Sequence, residues 1–370
     1  MVPQTFEDLQ VDYIEFYVSD IALATEWLVE GYGFAVYAMT DSLGEDSLGE
    51  TAASRSAGPG RSAGLGKNQI RLVLTQPLAR YHRGTAYLAK HGDGVADIAL
   101  RVADAAAAFG EAVRRGARPV AAPAAHAGIV TATVLGFGDV AHTFVQRPAD
   151  ADERALPWLT PVTEVASAPE PGLGEVDHFA VCVEAGLIDA TVEFYEKVLD
   201  FKLIFTEHIV VGRQAIVTKV VQSRSGAVTL TLIEPDVSQA PGHIDDFLEH
   251  HGGAGVQHIA FTADDIVHAV RSIKSRGVEF LSTPAAYYGL LAERLRLSRH
   301  SLGDLQRHNI LVDEDHYGQL FQIFSKSVHP RETLFFEIIE RFGARTFGSG
   351  NIKALYEAVE LQRSRDGAAA

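Results

Sequence analysis

The sequence predicts an α+β protein of two domains. Each domain is expected to hold two βαβββ modules that form a curved, open β-barrel with its helices outside. Three observations carry this expectation. First, GDGVADIALRVAD (92–104) returns as GAGVQHIAFTADD (253–265). Gly92, Gly94, Val95, Ile98, Ala99, Asp104, Gly116 and Pro123 recur as Gly253, Gly255, Val256, Ile259, Ala260, Asp265, Gly277 and Pro284, always 161 residues on. Second, VDYIEFYVSD (11–20) alternates apolar and polar residues as a half-buried strand does, and VDHFAVCVEAG (176–186) is its later counterpart. Third, residues 148–174 are rich in Pro, Ala and acidic residues, the composition of an inter-domain linker. The expected division is residues 1–148, a linker over 149–175, and a second domain over 176–370.

The elements follow in order. ALATEWLVEGYGFAVYA reads as helix, turn and strand. Residues 41–66 are rich in Gly, Ser and Ala and read as a mobile surface loop without chemistry. IRLVLTQP (70–77), GIVTATVLGFGD (128–139) and AHTFVQRP (141–148) read as strands. The second half gives a strand at 176–184, a helix at 190–199, a strand at 201–211, and the strands AIVTKVVQS and AVTLTLIEP. A helix containing FLEHH precedes the second copy of the repeat, and DDIVHAVRSIKSRG is an amphipathic helix after it. Strands near GQLFQIFSK and TLFFEIIE come next. The tail NIKALYEAVELQRS (351–364) has helical spacing through Ile352, Leu355, Tyr356 and Val359.

Composition removes several classes of function. A net charge of -16 leaves no basic surplus to neutralise phosphates, which argues against nucleic acid. No apolar run reaches the roughly 18 residues of a membrane span. MVPQTFEDLQ carries no apolar signal core. A single cysteine, Cys182, allows no intrachain disulfide and suits a reducing compartment. The expectation is a cytoplasmic protein.

The repeats break informatively. Asp97 in one copy is His258 in the other, and Tyr13 is His178, so both histidines fall in the second half. A lone strand histidine is more often a hydrogen-bonded core residue than a metal ligand. Two at matching places shift that balance. Alternation puts His258 on a face with Val256 and Ala260, and His178 on a face with Val176 and Ala180, so both can point into the concave side of the sheet. The third ligand expected is Glu337, a carboxylate among Phe335, Phe336, Ile338 and Ile339. Burying that charge is costly unless it is paired or metal-bound. Gln146 is its plausible counterpart in the first half. Two histidines and a carboxylate leave positions open for substrate and dioxygen on Fe(II). Zinc accepts the same ligands, but no HExxH helix is present. His243, His250 and His251 read as a solvated helix face. DEDHYGQLFQIF (313–324) fails as a calcium loop, because Phe324 stands at its final glutamate position. Cys182 reads as packing, out of the facing set of His178.

VDHFAV, GAGVQHIAF, QIFSK, TLFFEIIER and FGSGNIKALYEAVE together resemble the 4-hydroxyphenylpyruvate dioxygenase family, over nearly the whole chain and most strongly from about residue 176. The resemblance implies two vicinal-oxygen-chelate domains. It implies Fe(II) on His178, His258 and Glu337, with 4-hydroxyphenylpyruvate and O2 as substrates. The family has two branches, one forming homogentisate and one forming 4-hydroxymandelate, a precursor of hydroxyphenylglycine units in peptide antibiotics. The homogentisate branch shows PINEP and GNF where this chain has TLIEP (231–235) and GNI (350–352). Thr231, Ile233 and Ile352 therefore resemble the mandelate branch. Thr218 stands where that branch has a serine. The resemblance further implies that Gln257 and Gln322 bond substrate or neighbouring groups, that Thr218 and Thr231 offer hydroxyls near the ring, and that Phe336 packs against it. A C-terminal helix from Asn351 would act as a lid. The first half, lacking both histidines, is left with stability and subunit contact, which allows a homodimer. The alternatives are the homogentisate-forming dioxygenase and a non-catalytic small-molecule-binding protein of the same superfamily.

Overall fold

The computed structural model describes residues 5–40, 60–163, 171–348, 350–351 and 353. Its strands are β1 (Gln10–Tyr17), β2 (Ala35–Met39), β3 (Gly60–Lys67), β4 (Ile70–Pro77), β5 (Gly94–Arg101), β6 (Pro119–His126), β7 (Ile129–Leu135), β8 (Ala141–Gln146) and β9 (Thr160–Pro161) in the first half. The second half has β10 (Leu173–Cys182), β11 (Lys202–Val211), β12 (Gln214–Gln222), β13 (Thr229–Pro235), β14 (Gly255–Ala263), β15 (Leu311–Asp315), β16 (Gly318–Phe324) and β17 (Phe335–Phe342). The helices are α1 (Ile21–Glu26), which runs on as a π-turn, α2 (Arg83–His91), α3 (Ala105–Arg114), α4 (Ile188–Leu199), α5 (His243–His251), α6 (Ile266–Ser275), α7 (Ala285–Arg294) and α8 (Leu302–His308).

Two sheets result, ordered β6-β7-β8-β5-β1-β4-β3-β2-β9 and β11-β12-β13-β10-β14-β17-β16-β15. In each module the first strand lies parallel to the last: β1 with β4, β5 with β8, β10 with β13, β14 with β17. A parallel neighbour requires a crossover. The two modules of each half meet along one antiparallel pair, β1 with β5 and β10 with β14. Helices α3 and α6 start alike, with Asp104 and Asp265 accepting from the backbone N–H three residues on.

Three expectations change. Residues 60–66 are not loop but most of β3, paired on both sides, with Ala63 and Leu65 fully buried. Glycine is poor in strands by propensity, yet it marks close approach. A Cβ on Gly64 would lie 2.6 Å from the Tyr37 ring. Residues 41–59 lie outside the described residues. The 161-residue echo also stops near Pro284, because α7 and α8 are inserted there. Phe280 still bridges to Ser325, and pairing resumes only at β15. Lastly, the stretch after residue 148 does not merely connect. Leu156 and Leu159 are buried with Tyr13, Tyr37 and Val73, and Trp158 meets Tyr13 edge-on at 6.3 Å. The concave side of the first sheet is thereby packed with side chains of its strands and of this stretch.

Candidate metal centre

The register builds the site. His178 on β10 sits beside Ala260 on β14, and Ala260 sits beside Glu337 on β17. One row further, Ala180, His258 and Phe335 are neighbours. Alanines between the polar side chains leave the ligand atoms room to converge. His178 Nε2 lies 3.4 Å and His258 Nε2 3.3 Å from Glu337 Oε2. Donor atoms of all three side chains lie within 4.8 Å of one another. Glu337 is 2% exposed, so its carboxylate is held by two imidazoles and no solvent. This donor set fits a metal ion of the facial, two-histidine, one-carboxylate kind.

The two imidazoles differ. His178 Nδ1 donates to Asp177 Oδ1 at 2.8 Å. Among the described residues His258 Nδ1 has only Gln257 Oε1, at 3.4 Å. Burial opposes a charge on His178, but the Asp177 and Glu337 carboxylates outweigh it and push its pKa up to about 9. Burial dominates at His258 and lowers it. Burial also works against ionised Glu337 and Asp177. The imidazoles hold Glu337 below the usual carboxylate range, and Arg341 with His178 does so for Asp177.

Neither Asp177 nor Gln257 would face its histidine in a regular strand. Each is the extra residue of a β-bulge: Val176 and His178 oppose Phe261 and Ala260, while Val256 and His258 oppose Val181 and Ala180. A bulge re-aims a side chain. The same bulges fall at Asp12 and Ala96 in the first half.

The remaining expected residues divide. Thr218 is paired with Ile233, and Thr231 with Ala180. Alternation puts all of them on the concave face. Ile233 packs with Ala180, Cys182, Ile244 and Phe247. Cys182 therefore shares that face, contrary to its expected placement, but it is buried packing as expected. Thr231 Oγ1 and Gln322 Oε1 are buried without a hydrogen-bond partner among the described residues. Phe336 is not at the site. Its neighbour Glu337 points in, so Phe336 points out, stacked on Trp27 at 5.1 Å and edge-on to Tyr32 at 5.0 Å. The rings around the imidazoles are instead Phe335 (5.0 Å) and Phe324 (5.5 Å) at His258, and Phe347 (5.4 Å) at His178. Gln146 is not the counterpart of Glu337 either. Ala99 pairs with Tyr13, and the β5–β8 register sets Thr143 beside it. Gln146 caps α3 through Ala105 N, as Glu340 caps α6 through Ile266 N. In the first half the triad is thus Tyr13, Asp97 and Thr143, with Asp97 accepting from the Thr143 backbone N–H and hydroxyl. His243 and His250 are exposed, but His251 is buried and stacked on His91 at 4.3 Å. Ile352 and nearly all of the expected lid helix lie outside the described residues.

Sequence reading missed Asp177, Arg341, Phe347 and Glu207, whose Oε2 is buried beside Thr218 without a hydrogen-bond partner among the described residues. A signal for the first two existed: Asp12 directly precedes Tyr13 as Asp177 precedes His178, and Arg147 directly follows Gln146 as Arg341 follows Glu340. A second cluster, Asp265, His300 and Glu340, also brings ligand atoms together. There Arg299 already pairs with Glu340 at 2.6 Å and serves as its cation.

Residues 175–323 match the Glyoxalase/Bleomycin resistance protein/Dioxygenase superfamily, and residues 67–156 match the N-terminal part of hydroxyphenylpyruvate dioxygenase. A 4-hydroxyphenylpyruvate dioxygenase of Dictyostelium discoideum is 35% identical over 96% of this chain and 98% of its own length. The chain belongs to the 4-hydroxyphenylpyruvate dioxygenase family. Its two sheets are vicinal-oxygen-chelate domains, and it is a dioxygenase of that family, whose members are non-haem iron enzymes. The Caenorhabditis elegans 4-hydroxyphenylpyruvate dioxygenase is 32% identical over 96% of this chain and 92% of its own. Among solved structures, a substituted 4-hydroxymandelate synthase from Streptomyces coelicolor superimposes with a TM-score of 0.81 at 41% identity, covering 96% of this chain and 99% of that one. No helix among the described residues is long and apolar enough to cross a membrane.

Proposed function

We propose that this dioxygenase converts 4-hydroxyphenylpyruvate and O2 to 4-hydroxymandelate and CO2, as a cytoplasmic step toward hydroxyphenylglycine units of peptide antibiotics. His178, His258 and Glu337 would hold Fe(II). The metal, when bound, supplies dioxygen activation coupled to decarboxylation of the keto acid. The chain's own residues decide which carbon is then presented. Thr231, Gln322 and Glu207 bring buried polar atoms without partners among the described residues to the concave face, where a phenol and a keto acid supply partners. Phe324, Phe335 and Phe347 surround the imidazoles with rings that exclude water.

The observation that carries the reading is Ile233. It is 8% exposed in an apolar cluster beside Thr218, where the homogentisate branch resembled above has an amide. Without that handle the ring is free to settle with its benzylic carbon, not ring C1, at the reacting position. A shift of about 1 Å decides such a competition. The 41% identity to a mandelate synthase, against 30–35% for curated relatives named as 4-hydroxyphenylpyruvate dioxygenases, supports the same branch. Those relatives favour the second reading, homogentisate formation. The deciding experiment loads the apo-protein with Fe(II) anaerobically, adds 4-hydroxyphenylpyruvate and then oxygen, and separates the products. Mandelate is expected. Homogentisate would overturn the branch assignment, and absence of oxygen uptake would favour a binding protein.

A further inference from the structure

The Asp177–Arg341 pair has a twin. Arg341 Nε and a terminal nitrogen donate to Asp177 at 2.6 and 2.7 Å. Arg147 makes the same two-pronged pair with Asp12 at 2.8 and 2.7 Å. Both aspartates are bulge residues of the first strand of their half, and both arginines end or follow the last strand. Both arginines also reach carbonyls just downstream: Arg147 that of Ala155, and Arg341 those of Thr346 (2.6 Å) and Ala344 (3.4 Å). The pair is therefore scaffold, present where no histidine stands.

In the first half Asp12 also accepts from Arg101 Nε at 3.1 Å, whereas in the second half the pair is joined to a histidine. Asp177 accepts a hydrogen bond from His178 Nδ1–H, which turns Nε2 toward Glu337. The carbonyls that Arg341 holds belong to the segment carrying Phe347. The guanidinium lies 5.0 Å from the Phe347 ring, and that ring packs edge-on to His178. The next residue, Gly348, lies so close to the Gln322 amide that no Cβ would fit between them. A groove of about 1190 Å³ between the two sheets exposes Asp177, Arg341, Arg345 and Phe347 to solvent.

We propose that Arg341, through Asp177, is a positioning residue that couples the 344–348 segment to the metal ligand His178. Metal binding and order in that segment then favour each other, since coupling between two sites is reciprocal. The inference rests on reading His178, His258 and Glu337 as the metal site, and needs neither the product nor the substrate assignment.

Co(II) is the probe, added alone to full-length apo-protein. Binding is followed by titration calorimetry and by the visible Co(II) spectrum. Arg341→Gln is expected to weaken binding by about 10-fold, the low end of the loss for an outer partner of a metal ligand, since Arg341 stands one hydrogen bond beyond Asp177, and to alter the spectrum. Arg147→Gln breaks the twin pair and is expected to leave affinity within about twofold of wild type. Trypsin cleavage after exposed Arg345 supplies the second readout. Co(II) is expected to slow it in the wild type but not in Arg341→Gln. Arg341→Lys keeps the charge but not the fork. It is expected to fold, to bind Co(II) more tightly than Arg341→Gln, and to lose part of the protection. Equal Co(II) affinity and spectrum in wild type, Arg341→Gln and Arg341→Lys would overturn the relay alone. Wild-type binding no tighter than that of His178→Ala would overturn the metal reading and the relay together.

Discussion

At the scale of single residues, the branch of the reaction turns on Ile233. Ile233→Asn would place an amide beside Thr218 and give the ring a partner it now lacks. The expected result is a homogentisate fraction that rises from near zero to a readily measured share, read by chromatography of products. An unchanged ratio with oxygen uptake intact would remove Ile233 from the argument. A second residue, Glu15, is set apart from the chemistry. It is buried on the concave face of the first sheet, paired across the strands with Asp97, near Arg83 of α2 and Tyr17 of its own strand, and it accepts from the Thr75 hydroxyl. Burial and Asp97 push its pKa up to about 7, against Thr75 and Arg83. The folded chain thus keeps a proton that the unfolded chain releases near 4.5. Its contribution to stability is full below about pH 4.5 and is lost as pH rises through about 7, by up to about 3 kcal/mol. Glu15→Gln should therefore gain on the wild type between pH 5 and pH 8 in urea unfolding, and a pH-independent difference would contradict the assignment. The histidines were legible in sequence because they interrupt a repeat. Glu337 was legible because a charge in an apolar strand needs a reason. Phe336 was misplaced for want of the same alternation that placed its neighbour.

At the scale of elements, strand alternation sorts Phe335 from Phe336. Phe336→Ala removes a ring packed among Trp27, Tyr32 and Phe261. It should cost about 3–5 kcal/mol of stability while leaving Co(II) affinity near that of the wild type. Phe335→Ala removes the ring stacked on His258 and should lower oxygen uptake with a smaller loss of stability. The reverse pattern, seen in a paired unfolding and activity assay, would mean that the faces are wrongly assigned. The module order and most strand positions were legible, because period-two patterns and duplicated motifs survive divergence. What escaped was local. β3 is built of glycines that its neighbours crowd. The bulges at Asp177 and Gln257 leave no mark in composition. The α7–α8 insertion follows a matching proline, so the repeat gives no warning of it. Gln146 was aligned by chemical likeness, whereas the Gln-Arg and Glu-Arg endings of β8 and β17 align it with Glu340.

At the scale of the whole molecule, the two halves are joined too closely to act as beads on a linker. Trp27 stacks on Phe336, the His142 imidazole accepts from the Tyr195 hydroxyl at 2.7 Å, Arg115 pairs with Asp200 at 2.6 Å, and His91 donates to the His251 carbonyl at 2.7 Å. One apolar cluster runs through both sheets, from Phe6 and Phe34 to Phe261 and Phe336. Breaking either half would strip these partners from the other, so the chain should unfold as one unit. A metal held by His178, His258 and Glu337 binds only the folded state, because the unfolded chain separates the three ligands. At a free metal concentration 100 times Kd it adds about 2.7 kcal/mol. For a chain of this size that corresponds to a rise of roughly 3–4 °C in Tm. Calorimetry with and without Co(II) is therefore expected to show a single transition that moves upward as a whole. Two transitions, only one of which responds to metal, would mean that the interface transmits nothing and that the metal-free half folds on its own account. In that event the filled interior of the first sheet, not its contact with the second, would be what keeps it in the molecule.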